Sequence, residues 1–349
     1  MFKKQKTAVL FGELKVTNDI QKKNGTSQRF ALIEAVRGLA AFLVVFSHTM
    51  PKDGWFYDAV FDPGKIGVVV FFFLSGFLVI PSAASDGSAK RFLIKRLFRL
   101  YPLYWVSLLF AFVVWRSELE LADWIANITM AQQFLGFENA IDVYWTLTIE
   151  VALYSIITAC LLFRPALLTD HFRTVLWALG AVCILMAIAR WGLQAKLPVA
   201  LPLGLLCMFS GAQMRFLSNQ GKSILPPIKT YLIVAIPTCW IAYSFSISFG
   251  ETSSRYIVTY IVGMLIFVVI LKRPQLDLGK HVRALGDWSY GIYLFHMIII
   301  YLISPWFEKG VILFILVMLL SILISAPLFH LVERPAVKIG HRLLGARSR

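Results

Sequence analysis

Acidic residues and cysteines are scarce in this chain of 349 residues. Only 19 residues are Asp or Glu against 34 Lys or Arg, giving a formal net charge of +15, and charged residues of both signs make up just 15%. Hydrophobic residues supply 58% and the mean hydropathy is +0.73. A soluble core cannot absorb that much apolar surface over this length, so the composition excludes a water-soluble globular protein and implies an integral membrane protein. The four cysteines, Cys160, Cys183, Cys207 and Cys239, stand singly in apolar stretches. Without paired spacing they argue against disulfides, zinc or a redox pair, and read as small core residues. The opening "MFKKQKTAVLFGELKVTNDIQKKNGTSQ" has lysines but only a short apolar patch and no small-residue cleavage site. No removable signal peptide is expected, and the later helices do the targeting. Low-complexity segments and fixed-period repeats are missing too, although a weak inverted repeat stays open.

What is present is a series of apolar runs long enough to cross a bilayer, at roughly 30–50, 64–82, 100–116, 144–163, 174–192, 198–216, 229–249, 254–271, 286–305 and 310–332. With the N-terminus inside, one side collects the lysines of residues 1–29, then Lys90, Arg91, Lys95, Arg96 and Arg99, then the basic residues near 164–173, 215–229, 272–283 and 334–349. The other side keeps few, among them Lys52, Lys65, Arg190 and Lys196. This asymmetry fits the positive-inside rule and predicts an all-α, polytopic fold of ten membrane helices with both termini cytoplasmic. Topology and membrane lipids then account for the excess charge, and nucleic acid is not expected as a partner. The chain divides into a basic cytoplasmic segment (1–29), a membrane domain (30–335) and a basic tail (336–349). The longest outer loop, "RSELELADWIANITMAQQFLGFENAIDVY", is acidic and rich in apolar residues, and is expected to form a short helix on the outer surface.

Ionisable groups inside a span cost at least about 2.5 kcal/mol at mid-membrane, so each needs a partner, a cavity or a function. In "AVRGLAAFLVVFSH" the first helix carries Arg37 about 10 Å from its inner edge and His48 near its outer edge. Eleven residues make about three turns, so both project from nearly one face, and with Glu34 they trace a stripe expected to line an internal cavity. The plainer alternative is an Arg37–Glu34 pair with His48 as an interfacial cap. "VYWTLTIEVALYSI" places Glu150 about 9 Å below the outer surface, at the depth of His48, where a carboxylate would orient the imidazole as a general base. In "AKRFLIKRLFRLYP" Arg96 and Arg99 share a helix face three residues apart, suited to gripping phosphates, or to ordinary charge at the inner membrane surface. Ser75, Gly76, Tyr101 and His296 are further candidates for the cavity lining, with close helix packing the favoured role of the Ser75–Gly76 pair and a core role open for His296. "LVERPAV", containing Glu333, Arg334 and Pro335, reads as a salt bridge and helix stop at the inner surface.

Taken together, the Arg37-to-His48 helix, "GVVVFFFLSGFL", "RFLIKRLFRLYPLYW", "YWTLTIEVALY" and "SYGIYLFH" occur in an order that resembles the acyltransferase family 3 membrane proteins over residues 30 to 335. The resemblance implies an O-acyltransferase of a bacterial cytoplasmic membrane. Such an enzyme takes an acyl group, commonly acetyl, from acetyl-CoA inside and delivers it to a hydroxyl of a surface glycan or its lipid-linked precursor. It matches Arg37, His48, Arg96, Arg99 and Glu150 to the family's functional positions, with His48 and Glu150 as catalytic candidates, the three arginines as acyl-CoA ligands, and no metal. Some relatives carry an extracellular hydrolase-like domain after the membrane part. This sequence ends at "HRLLGARSR", so the expectation is that it finishes the transfer itself or passes the acyl group to a partner protein. The competing reading is a transporter or flippase moving a glycan or small anion through the same cavity.

Overall fold

Apolar segments in hydrocarbon have only their own backbone to bond with, and a helix satisfies every N–H and C=O internally. A computed structural model describes residues 31–52, 60–115, 119–244, 250–273 and 275–345, and among these it contains helices and turns but no strand. The helices are α1 (Ala31–Thr49), α2 (Pro63–Asp86), α3 (Ala89–Trp115), α4 (Leu121–Asn127), α5 (Trp145–Phe163), α6 (Phe172–Leu193) and α7 (Ala200–Asn219). They continue with α8 (Leu225–Tyr243), α9 (Ser253–Lys272), α10 (Lys280–Ile303), α11 (Val311–Leu328) and α12 (Arg334–Leu343). Ten segments are long and apolar enough to cross a membrane, the last running from Val311 to Leu343. An even number of crossings puts residues 31 and 343 on the same side. The face where Lys90 to Arg99 enter α3 is called inner here, following their charge. The segment 1–29 lies outside the described residues.

Two element limits differ from the sequence reading. The basic stretch 89–99 is not a loop but the first turns of α3, because its charges need to leave hydrocarbon and not the helix. Pro335 does not stop the last helix either. A π-turn at Phe329–Glu333 absorbs the hydrogen bond that proline cannot donate, and α12 continues along α3, with Gly340 against Phe98.

Helix α2 is the innermost span, packed on α7 and α9. Small residues let backbones touch there. A Cβ on Gly76 would stand 1.8 Å from the Met208 carbonyl oxygen, and one on Gly211 2.4 Å from that of Phe73. The α1–α10 contact is built likewise, Gly286 lying under the Glu34 carbonyl and Gly38 under the Gly286 amide. Asp62 fastens the outer ends of α1 and α2. It caps α2 through the Lys65 amide, pairs with the Lys65 ammonium at 2.7 Å and accepts from Ser47 Oγ at 3.1 Å. Burial alone would raise the pKa of this carboxyl, but the Lys65 charge and hydrogen bonds outweigh it and hold Asp62 well below the usual carboxylate range. Three of the cysteines are buried among the helices, and all four are free thiols.

The outer segment 119–144 does not lie flat on the surface. Helix α4 is closed by a capping box between Glu120 and Asp123, and the chain beyond it runs down the flank of α3. Tyr104 OH donates to the Asn127 carbonyl at 2.6 Å, Trp105 Nε1 to that of Ile128 at 3.1 Å, and Tyr101 OH to that of Thr129 at 2.8 Å. Irregular backbone at this depth needs internal partners. Fully buried Asn127 supplies them, donating to the Asp123 and Glu138 carbonyls and accepting from the Ala140 amide. The chain returns at Tyr144, whose hydroxyl meets Ser107 Oγ at 2.7 Å, about 12 Å below the outer end of α3. Helix α5 therefore starts deep in the bundle.

Candidate functional site

That deep start decides where the ionisable residues meet. An inner cavity of about 320 Å³ lies between α1, α2, α3, α5 and α10 and is lined by Arg37, Ser75, Arg96, Arg99, Glu150 and Tyr154, with Tyr293 in its wall. Both oxygens of Glu150 are engaged there, accepting from Ser75 Oγ at 3.1 Å and Tyr154 OH at 3.2 Å. Expected beside His48, Glu150 makes no hydrogen bond to it. The sequence reading started the fourth span at the outer surface, whereas α5 begins one re-entrant segment lower, so Glu150 lines the cavity that Arg37 enters.

The three arginines differ. Arg37 makes no hydrogen bond or ion pair among the described residues, and the carboxylates whose fields reach it are, in order of strength, Glu150, Glu34 and Asp287. Direct pairing with Glu34 is not found. The Arg96 guanidinium lies across the rings of Phe92 and Tyr154, with centroid distances of 5.7 and 6.0 Å, and its Nε has no hydrogen-bond partner. Arg99 is ion-paired with buried Glu333 of the π-turn, and its guanidinium sits 6.0 Å from the Tyr290 centroid. The salt bridge read in "LVERPAV" is therefore long-range, to α3. Two arginines that lack ion-pair partners beside one braced by a carboxylate form a mouth suited to a multiply charged anion.

Farther out on α1, half-buried His48 meets fully buried His296 of α10, Nδ1 to Nε2 at 3.1 Å, with the rings near-parallel. The other His296 nitrogen, Nδ1, lies 2.8 Å from the Tyr293 carbonyl and 3.2 Å from that of Ile292. Carbonyls only accept, so Nδ1 of His296 carries its proton and, in the neutral ring, Nε2 presents a lone pair. His48 must then donate from Nδ1, which leaves its Nε2 as the basic nitrogen. His296, not Glu150, sets the tautomer of His48. Tyr293 links this pair to the inner cavity. Its ring lines the cavity and stands 5.8 Å from the His296 ring, while its hydroxyl contacts the Val143 carbonyl and Thr146 Oγ1. His48 and His296 themselves lie beyond that wall.

Of the remaining candidates, Ser75 lines the cavity, Gly76 serves the α2–α7 contact instead, and Tyr101 holds the re-entrant backbone. The sequence reading did not single out Tyr154 and Tyr293. Both were visible in the quoted motifs, at i+4 from Glu150 and i−3 from His296, the spacings that share a helix face.

On the outer side a second cavity of about 880 Å³ opens between α2, α5, α6, α8, α9 and the re-entrant segment. It shares Val68 and Phe72 with the inner one as a dividing wall.

Comparison with known proteins identifies the family. A family model described as an acyltransferase domain matches residues 30–330. ORF330 of Acidianus two-tailed virus, which carries an acetyltransferase name, is 26% identical over 295 residues, covering 76% of this chain and 82% of the relative. Nodulation protein 10 of Rhizobium leguminosarum bv. viciae is 25% identical over 370 aligned positions, covering 90% of this chain and 95% of the relative. No solved structure matches.

Proposed function

The chain belongs to the acyltransferase family 3 and is a multi-pass membrane acyltransferase, and on that premise we propose that it carries an acetyl group from cytoplasmic acetyl-CoA to a hydroxyl of a surface polysaccharide across a bacterial cytoplasmic membrane. The observation that carries this reading is the stacking of three features along one path. An arginine-ringed cavity stands at the inner end, a histidine with a lone pair fixed on Nε2 stands above it, and a wide cavity of mixed apolar and polar lining opens outside. The ends of the path lie at opposite depths of one helix, Arg37 and His48 being about 16 Å apart along α1.

In this reading Arg37 and Arg96 take the donor's phosphates, Arg99 completes the ring under the control of Glu333, and the pantetheine arm rises past Ser75 and Glu150 toward Tyr293. His48 Nε2 removes the proton from the acceptor hydroxyl as that oxygen attacks the thioester carbonyl. The C–S bond breaks, and the proton returns to the departing CoA sulfur. His296 stays neutral and holds the His48 ring by accepting its Nδ1–H.

The test is release of CoA thiol by the detergent-solubilised protein supplied with acetyl-CoA, with and without a surface-glycan fraction. Release that the glycan stimulates and that His48→Ala removes supports transfer. Tight glycan binding with no release and no CoA binding would overturn it in favour of a glycan flippase.

A further inference from the structure

We propose that the closed outer end of the inner cavity is the acyl pocket, and that Phe72 of α2, flanked by Val68 and Leu147, is the stop that restricts the donor to a short, uncharged acyl group, smaller than butyryl. The assignment rests on the transfer reading above and adds to it where the acyl group sits and what limits its length.

The cavity is graded along its axis. Helices α2 and α5 run from outside to inside and α10 runs back, so chain order gives the depth of each lining residue. Arg37, Arg96 and Arg99 stand at the inner mouth, and Ser75, Glu150 and Tyr154 form a polar middle. The outer end is made by Val68, Phe71, Phe72, Thr146, Leu147 and Tyr293. From Val68 down to Val79 the lining of α2 extends about 16 Å. Charge, then hydrogen-bonding groups, then carbon is also the order met along an acyl-CoA, from its phosphates through the amides of the pantetheine arm to the acyl chain.

The outer end offers carbon alone. Its two hydroxyls, on Thr146 and Tyr293, lie 2.7 Å from each other and at 3.1 and 2.8 Å from the Val143 carbonyl, so they are already engaged. An acyl group bearing a carboxylate would lose its water there with no partner in return. The ring of Phe72 is also held in place. It is buried, meets Trp145 edge to face at 6.3 Å, and lies so near Gly204 of α7 that a Cβ there would stand 3.1 Å from its Cε2. A wall packed this closely rejects added methylenes instead of stretching round them.

Size and position agree with a stop at this point. The inner cavity, at about 320 Å³, is near the bottom of the range for small-ligand sites, roughly 300–1,000 Å³, while the space beyond Phe72 and Val68 measures about 880 Å³. One aromatic ring and one valine therefore separate a narrow site from a wide one. An acyl group seated against them has its carbonyl beside Tyr293, whose ring stands 5.8 Å from that of His296.

The test measures donor binding with no acceptor present. Free CoA, acetyl-CoA and butyryl-CoA are titrated calorimetrically into the full-length protein in detergent. Free CoA has no acyl group to meet the wall, so its affinity reports whether a variant has kept its fold and its arginine mouth. In the wild type butyryl-CoA should bind about tenfold or more weakly than acetyl-CoA, because its two extra methylenes overfill the pocket. Phe72→Ala opens the stop onto the wide cavity and should bring the two esters within about twofold of each other. Phe72→Leu and Val68→Ala leave more of the core filled, and each should narrow the ratio in part. No discrimination by the wild type, or an unchanged ratio in variants that still bind free CoA, would overturn the assignment and leave the transfer reading standing. Wild-type protein that binds neither CoA nor its esters would overturn both.

Discussion

Replacing His296 by Leu isolates the device on which the chemistry depends, because the substitution leaves His48, Glu150 and the arginines in place. In the native protein His296 donates to the Tyr293 carbonyl at 2.8 Å and accepts from His48 at 3.1 Å. Leucine can do neither. One net hydrogen bond, about 1 kcal/mol, sets a floor of roughly fivefold on the loss of kcat. The ceiling is the whole contribution of general-base catalysis, about 10²- to 10⁴-fold, reached if His48 turns its Nδ1 lone pair toward the acceptor or loses its orientation. We expect about 10²-fold in kcat with the KM for acetyl-CoA unchanged, since His296 does not line the inner cavity. Glutamine at 296 can place an amide oxygen near the former Nε2 and accept from His48, so His296→Gln should recover activity to within about tenfold of wild type. The assay is glycan-stimulated CoA thiol release, with thermal unfolding in detergent run beside it to separate positioning from folding. Wild-type kcat in His296→Leu, or a glutamine variant no better than leucine at equal stability, would refute the assigned role.

Three further outcomes follow from the geometry. Arg99→Gln leaves Glu333 buried without its cation and should destabilise the protein more than Arg96→Gln does, by about 3 kcal/mol; adding Glu333→Gln should recover much of that stability, and a double variant no more stable than Arg99→Gln would contradict the pairing. Gly76→Ala drives a methyl into the Met208 carbonyl of α7 and should lower the unfolding temperature, as overpacking of about 1–3 kcal/mol or more, whereas Gly192→Ala, with open space around it, should not. Because Asp62 is held below its ordinary pKa of 3.8, the stability it contributes is complete above about pH 4 and fades as pH falls toward its folded value. The stability gap between wild type and Asp62→Asn should therefore be constant from pH 8 to 5 and narrow only in stronger acid; a gap that narrows near neutrality would contradict it.

The spans were legible because about twenty apolar residues in hydrocarbon have one backbone solution, and the charge asymmetry oriented them. The shared face of Arg96 and Arg99 and the inward placing of Arg37 were legible as well, since helical periodicity says which face a residue shares, whereas Ser75 was read chiefly as a packing residue and instead lines the cavity. What periodicity cannot give is the depth at which a helix begins. Glu150 was placed beside His48 from the length of its own span, and nothing local in "RSELELADWIANITM" announced that the chain would descend α3 on the carbonyl bonds of Tyr101, Tyr104 and Trp105. The His48–His296 bond joins residues 248 positions apart, a proximity fixed by the Gly38–Gly286 helix contact and invisible in either motif alone. Glu333 was read rightly as a salt-bridge residue, but its partner was hidden for the same reason. The π-turn aims it across the bundle at Arg99, more than two hundred positions away in the chain.

The most direct test of the account is sidedness. Purified protein is reconstituted into sealed vesicles in one known orientation, with acetyl-labelled acetyl-CoA on the inner-cavity side and surface glycan on the other. The account predicts label on the glycan across an intact bilayer, lost in His48→Ala. Labelling only when donor and glycan share one compartment would contradict it.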